Sequence, residues 1–351
     1  MTMAIGTTWH GRARGQLLVA QSAAAKAASR PAATRATRNL ILAFRPGFQA
    51  PADLEAIARH VREMDPTIAT YIVPTTSRNS VTRKMAATRP TLVVSNAVMP
   101  AFTPLRGHVY QGIVIPKIEE VRRLEAAGLP VPRTALLTPD LKLDPADWGE
   151  FVILKPTDRK TSSRGAGIAL MRTARVAYRA PEEYPAGHPG RVAPMLVQQF
   201  IDTGENITVC RVLTFFGEPL YAMVDRAADR RAPLTAPDAE IEATVIASQA
   251  AVRHESYFVQ EERILALARA AAAVVPEAPL KGIDIVREAA SGKLYVLELN
   301  MGGNTWHFSS GQQARERALN GREFEMRRHA QFDAFRTAAR VLVARTRAEA
   351  V

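Results

Sequence analysis

Residues 282–300 read GIDIVREAASGKLYVLELN. Two runs of alternating β-formers flank a turn that contains Gly292, so the stretch folds as an antiparallel hairpin. A three-residue Ala-Ser-Gly loop with Gly292 in the left-handed position sets Ala289 opposite Lys293. Counting back through that register puts Asp284 opposite Glu298. Directly opposed Cβ atoms lie about 4.5–5.5 Å apart. Asn300, two residues beyond Glu298, shares its face. Three oxygen donors therefore converge on one surface from two strands. Two carboxylates this close repel if both ionise, which calls for a shared proton or a cation between them. Hard oxygen ligands suit Mg²⁺ completed by phosphate oxygens, and a solvated acidic sheet face is the plain alternative.

A lysine supplies a second element. Lys155 ends the apolar strand FVILKP, in a chain where only eight of 46 basic residues are Lys. A buried ammonium needs a charged or hydrogen-bonding partner. Directly after it, TDRKTSSRGAG offers hydroxyls, backbone N–H groups and flexible glycines that can fold over phosphates. It is not a P-loop, because G-x-x-x-x-G-K-[ST] is absent.

Composition bounds the rest. The 351 residues are 47% hydrophobic, enough for two or three lobes with a large core. The one cysteine, Cys210, lies in the apolar run NITVCRVLTF and reads as an inert buried thiol. No apolar run reaches the roughly 20 residues that span a membrane. These features imply a soluble cytoplasmic protein with no membrane partner. The net charge is +12, but residues 1–45 carry seven basic residues and no acidic one, so the excess is uneven. No zinc-finger or aromatic RNA-binding motif accompanies it, and no nucleic-acid partner is expected.

Along the chain, residues 1–38 form a basic Ala/Arg-rich leader, read as a flexible tail with some likeness to a transit peptide. Residues 39–112 alternate strand, helix and strand (NLILAF, PADLEAIARHVREM, TIATYIVP, TLVVSN), which predicts a small α/β lobe with a parallel sheet. A helix over IPKIEEVRRLEAAG places Ile118, Val121, Leu124 and Glu125 at its turns and stops at Gly128. Strands FVILKP, IALM and MLVQQFI follow. Then comes NITVCRVLTFFGEPLYAMV, a hairpin turning near Gly217, and a basic loop with Arg226, Arg230 and Arg231. The helix EERILALARAAAAVV precedes the 282–300 hairpin, and residues 312–351 are helical and basic.

The order of KGIDIV, YVLELN and FVILKP…SSRGAGI resembles the ATP-grasp superfamily, in its D-alanine–D-alanine ligase, glutathione synthetase and ribosomal-protein glutamate ligase branch. The resemblance covers about residues 40–340. It implies an α/β fold in which two α+β lobes, 113–197 and 198–311, clamp ATP behind the small parallel-sheet lobe. It also implies an ATP-dependent carboxylate–amine ligase that forms an acyl phosphate, with Mg²⁺ or alternatively Mn²⁺. Partners would be ATP, a small carboxylate and an amine, with a homodimer allowed. Other family reactions, such as bicarbonate activation or phosphoryl transfer, and a non-catalytic nucleotide-binding module stand as alternatives.

By the same resemblance Lys117 and Lys155 contact the phosphates, although Lys117 also reads as an exposed first-turn residue. The loop with Ser162, Ser163, Gly165 and Gly167 closes over them. The hinge Gln198, Gln199, Phe200 and Ile201 holds adenine through its backbone, and Glu205 binds ribose. Asp284, Glu298 and Asn300 are the metal ligands. Arg211, in mid-strand, stabilises the tetrahedral intermediate or forms a structural ion pair. Where the branch has an arginine two residues before the first metal Asp, this chain has Gly282, so Lys281 or Arg211 stands in. Asn304, Thr305 and His307 face the acceptor, and Trp306 is core. The Arg226, Arg230 and Arg231 group suits a multiply anionic substrate or is simply a solvated loop.

Overall fold

The computed structural model describes residues 35–78, 80–157, 167–244, 246, 254–302 and 305–351. The leader up to residue 34, Ser162, Ser163, Gly165 and Asn304 lie outside the described residues. Among those described, no helix is long and apolar enough to cross a membrane.

The first sheet is wholly parallel. Strands β1 (Arg38–Phe44), β2 (Ile68–Pro74), β3 (Thr91–Ser95) and the short β4 (His108–Tyr110) run in the order β2-β1-β3-β4. β1 is apolar from Leu40 to Phe44 because both faces are covered. Leu40 and Leu42 pack on one side, Ile41 and Ala43 on the other. Between β1 and β2, α1 (Pro51–Met64) starts with Pro51 at its first position and buries Leu54, Ile57, Ala58 and Val61, the face its spacing predicts. α2 (Ser80–Met85) leads into β3. β4 was not legible in the sequence: it is three residues long, with His108 and Val109 exposed.

Next come α3 (Lys117–Ala126), β5 (Thr134–Leu136), α4 (Pro145–Trp148), β6 (Phe151–Pro156), β7 (Ala169–Arg172) and β8 (Met195–Gln199). The four strands make an antiparallel sheet in the order β5-β8-β6-β7. On α3 the buried face is Lys117, Glu120, Val121 and Leu124, so Glu125, expected inward, is exposed.

The third sheet is antiparallel, in the order β11-β10-β9-β12-β13. Its members are β9 (Thr208–Phe215), β10 (Glu218–Ala227), β11 (His254–Phe258), β12 (Leu280–Arg287) and β13 (Leu294–Asn300), with α5 (Asp238–Glu242) and α6 (Glu262–Ala273) between them. β9 and β10 turn at Phe216–Gly217, both left-handed at φ 51° and 90°, as a two-residue hairpin of matching twist requires. α6 covers Val212, Ala222, Ile283 and Ile285 on one face. The chain ends in α7 (Gly311–Ala330), kinked at Gly321, and α8 (Ala334–Glu349). The bare faces of Ala334, Ala338 and Ala339 let α8 approach closely. Their cluster joins Leu40 and Leu42 of the first sheet and Ile57 and Val61 of α1 to Leu213, Phe215 and Met223 of the third sheet.

The 282–300 hairpin differs from its expected form in two ways that cancel. Gly292 is left-handed as predicted, but Glu288 N donates to Lys293 O, so the loop has four residues, Ala289 to Gly292. A bulge then inserts Leu297 into β13 between the pairs Ile285–Val296 and Asp284–Glu298. The expected pairing of Asp284 with Glu298 is restored.

Lys281, expected near the reacting groups, is on the other face of β12 from Asp284. It is 1% exposed and its Nζ donates to Ala278 O. Burial lowers its pKa from 10.5 to about 8. Below pH 8 both folded and unfolded chains hold the proton, and the folded state bears the full cost. Between about pH 8 and 10.5 the unfolded chain binds more protons, so stability rises with pH. Lys281→Met should raise stability at pH 7 in denaturant titrations and flatten that rise; an unchanged pH profile would contradict the buried ammonium.

Gly112 packs against two backbone segments, at residues 96–97 and at Met301. A Cβ there would lie 2.8 Å from Ala97 Cα and 2.9 Å from both Asn96 O and Met301 O. Gly112→Ala should cost about 1–3 kcal/mol in the same titration, because none of these atoms belongs to a flexible side chain. Wild-type stability would mean the junction of β3, α3 and β13 is looser than described.

Candidate active site

The centre of the site is a row across three neighbouring strands. Arg211 on β9 pairs in register with Asp284 on β12, which pairs with Glu298 on β13. Arg211 forms a fork on Asp284: Nε donates to Oδ1 and Nη2 to Oδ2, each at 2.7 Å. Burial alone would disfavour the guanidinium charge, but the Asp284 charge and hydrogen bonds outweigh it and hold the Arg211 pKa above its ordinary value. Asn300 Nδ2 donates to Asp284 Oδ2 at 3.1 Å. That bond fixes the amide and leaves Oδ1 as its acceptor end.

Gly282, directly opposite Asn300, is bare for a reason. A Cβ there would come within 2.9 Å of Thr305 Cγ2 and 3.6 Å of Asn300 Cβ. Thr305 fills the space where a side chain at 282 would stand, and Arg211 brings the positive charge from the next strand.

Two lysines stand on other elements. Lys117 is buried in the first turn of α3, with Nζ donating to Pro156 O at 3.3 Å, so the exposed reading fails. Lys155 Nζ donates to Gln198 Oε1 at 2.9 Å, and Gln198 Nε2 donates to Thr134 Oγ1 at 2.9 Å. The amide at 198 is thereby oriented between β5 and β6. The neighbouring backbone N–H groups are used within the protein, Gln199 to Arg133 O at 2.8 Å and Phe200 to Phe151 O at 3.2 Å; Ile201 is buried. Gly167 is left-handed, at φ 69°, and packs on Pro189 and Pro156.

The arginine loop makes contacts of its own. Arg226 donates to Asn206 Oδ1 at 2.8 Å, Arg230 pairs with Glu205 at 3.2 Å, and Arg231 donates to Asp202 Oδ1 at 2.8 Å and Gly204 O at 3.1 Å. All three contact residues 202–206, the loop that carries the exposed Glu205; Arg231 is covered, while Arg226 and Arg230 stay exposed to solvent.

His307, expected to face an acceptor, is buried beneath the third sheet. Its Nδ1 lies 3.0 Å from Glu316 Oε1, and its ring stacks on Tyr221 at 6.1 Å. Glu316 also accepts from Arg328, whose other nitrogen bonds His307 O at 2.8 Å. Burial would raise the Glu316 carboxyl, but His307 and Arg328 outweigh it and hold it below the ordinary range. Trp306 is core, as expected, and its Nε1 donates to Asp53 Oδ2 at 2.7 Å.

Four residues near the site went unnoticed in the sequence: Glu120, Thr134, Glu316 and Arg328. Only Glu120 left a signal there, three residues after Lys117 and so on the same helical face.

Among the described residues no group of three or more His, Cys, Asp or Glu side chains could hold a metal ion. The oxygens of Asp284, Glu298 and Asn300, two acids and an amide, are the hard donor set of Mg²⁺, and they fit an ion whose other ligands come from elsewhere, such as phosphate or water. Arg211 supplies the counter-charge to Asp284 in this structure.

No protein-family model matches the chain, and no curated protein matches it in sequence. It is similar to several solved structures. The D-cycloserine synthetase DcsG is 16% identical with a TM-score of 0.46, over 88% of this chain and 99% of that one. The ATP-grasp ligase PsnB in complex with a minimal precursor is 15% identical with a TM-score of 0.46, over 87% and 98%. The D-alanine–D-alanine ligase from Bacillus anthracis in complex with ATP is 14% identical with a TM-score of 0.42, over 89% and 99%.

Proposed function

We propose that this chain is a Mg²⁺- and ATP-dependent ligase of the ATP-grasp kind, which activates a substrate carboxylate and joins it to an amine. The reading rests on one observation: Arg211, Asp284, Glu298 and Asn300 share one face of the third sheet, with Arg211 forked on Asp284. A row of oxygen donors beside a fixed guanidinium suits a reaction in which negative charge moves from phosphate to an acyl oxygen.

Asp284, Glu298 and Asn300 would hold the ion through their oxygens. The ion supplies neutralisation of phosphate charge. Lys117 and Lys155 would exchange Pro156 O and Gln198 Oε1 for phosphate oxygens. Gln198 to Ile201 would border the adenine, with Glu205 near the ribose. Arg211, fixed by Asp284, would donate toward the oxyanion of the tetrahedral intermediate. The nucleotide would then sit between the second sheet, whose last strand runs to Gln199, past the expected boundary at 197, and the third, which begins at Thr208.

The test is ADP release with Mg²⁺ across pooled amino acids, peptides and other carboxylates, with hydroxylamine as the amine. Carboxylate-dependent hydroxamate is expected, and Asp284→Asn should reduce it about 10³-fold, the worth of several kcal/mol of charge stabilisation. ADP without hydroxamate would replace the reading with phosphoryl transfer or bicarbonate activation. No turnover in any pool, with ATP still bound, would replace it with a nucleotide-binding module.

Arg211→Lys keeps a charge but loses the fork. It should lower kcat by about 10²–10³, the loss of one oxyanion donor, and leave the KM for ATP little changed. A KM effect at constant kcat would place Arg211 in substrate binding instead.

A further inference from the structure

β13 is the last strand of its sheet, so one row of its backbone N–H groups faces away from the ladder. Two of these are taken by chain that precedes β6. Val296 N donates to Pro130 O at 2.8 Å, and Leu299 N donates to Glu120 Oε1 at 2.7 Å. Leu299 lies between Glu298 and Asn300, two of the three oxygen donors. Glu120 is 2% exposed and reaches it from α3, 179 residues away in sequence.

A carboxylate is a costly choice for an acceptor at such a place, because its charge must leave water. What it brings is a stronger, more directional bond to an N–H than a neutral acceptor gives. Its neighbours show what is being held. One turn before it, Lys117 reaches Pro156 O at the end of β6. On the segment leading into α3, Gly112 is pressed against Met301 O, where a Cβ would come within 2.9 Å. Residues 112–120 thus grip β13 at Leu299 and just past its end, while the same helix touches the lysine strand.

We infer that Glu120 is a positioning residue for the oxygen-donor strand. It fixes the Leu299 backbone so that Glu298 and Asn300, on either side, keep their oxygens on the Asp284 face. Through Lys117 on the same turn, it keeps that strand in step with the end of β6. The inference rests on the proposed function in one respect, that Glu298 and Asn300 hold an ion.

The experiment is Mn²⁺ binding to the full chain in the presence of ADP, followed by electron paramagnetic resonance, for wild type, Glu120→Ala, Glu120→Gln and Asp284→Asn. Glu120→Ala should weaken Mn²⁺ about 10- to 100-fold, as loss of a group behind a metal ligand does. Glu120→Gln, whose amide oxygen still accepts, should recover most of that loss. Amide exchange over 294–301 should quicken in Glu120→Ala and return toward wild type in Glu120→Gln. Should Glu120→Ala fail to fold, Glu120→Asp, one methylene too short to reach Leu299 N, takes its place. Wild-type Mn²⁺ affinity in the Ala or Asp variant, with binding lost in Asp284→Asn, overturns the inference and leaves the site reading intact. So does an equal loss in the Ala and Gln variants, which would mean the charge matters and the acceptor does not. Wild-type binding in Asp284→Asn removes the ligand assignment, and the inference with it.

Discussion

The fork of Arg211 on Asp284 is the interaction on which the rest of the site depends. It sits in mid-sheet, beside buried Leu213 and Met223, where a lone charge could not be tolerated. Two well-aligned hydrogen bonds balance the two desolvated charges, and removing either partner alone would leave the other uncompensated at about 3–5 kcal/mol. The pair also has polar neighbours. Asp225, on β10, is pushed above the ordinary carboxyl range by burial, although the Ser256 hydroxyl bonds it and Arg211 draws it down. A slip of one residue between β9 and β12 would turn Arg211 toward α6 and its apolar cover of Val212 and Ile283. The pair therefore pins the register of the strands that carry it.

Much of this was legible in the sequence because strand parity is strict. Asp284, Glu298 and Asn300 share a face at any register that pairs the first two, and that face excludes Ile283 and Leu299. Parity also argues against Lys281: three residues from Asp284, it must point the other way. The hairpin loop was less legible. Gly292 announces a left-handed turn residue but not whether three or four residues make the loop, and a bulge at Leu297 leaves no mark in an apolar run. The pairing came out as expected because one extra loop residue and one extra strand residue compensate.

His307 and the arginine loop were illegible for another reason. The sequence places them near the site, but which way they face depends on elements far along the chain. Glu316 and Arg328 on α7 draw His307 inward, and Asp202, Glu205 and Asn206 take up Arg231, Arg230 and Arg226. Charged groups find the nearest partner that loses least hydration. Of the three arginines only Arg231 is covered by its partners; Arg226 and Arg230 stay exposed beside theirs.

The segment after β13 explains why the strand of oxygen donors ends in such an unusual run of residues. Within ten residues it must carry Asn300, clear Gly112, fill the space over Gly282 with Thr305, and place Trp306 where it meets Asp53 of α1. The Ser309 hydroxyl also bonds Asp53 and accepts from Ala50 N at 2.8 Å. The same residues that close the donor strand therefore anchor the third sheet to the first turn of α1, through the core cluster that holds Trp306, Phe308 and α8. A close-packed joint of this kind transmits displacement instead of absorbing it. A shift of α1 or β3 would be felt first at Met301 and Thr305, one residue past Asn300 and directly over Gly282. The first sheet is thus coupled to the oxygen donors through this packing and the hydrogen bonds of α1 to Trp306 and Ser309.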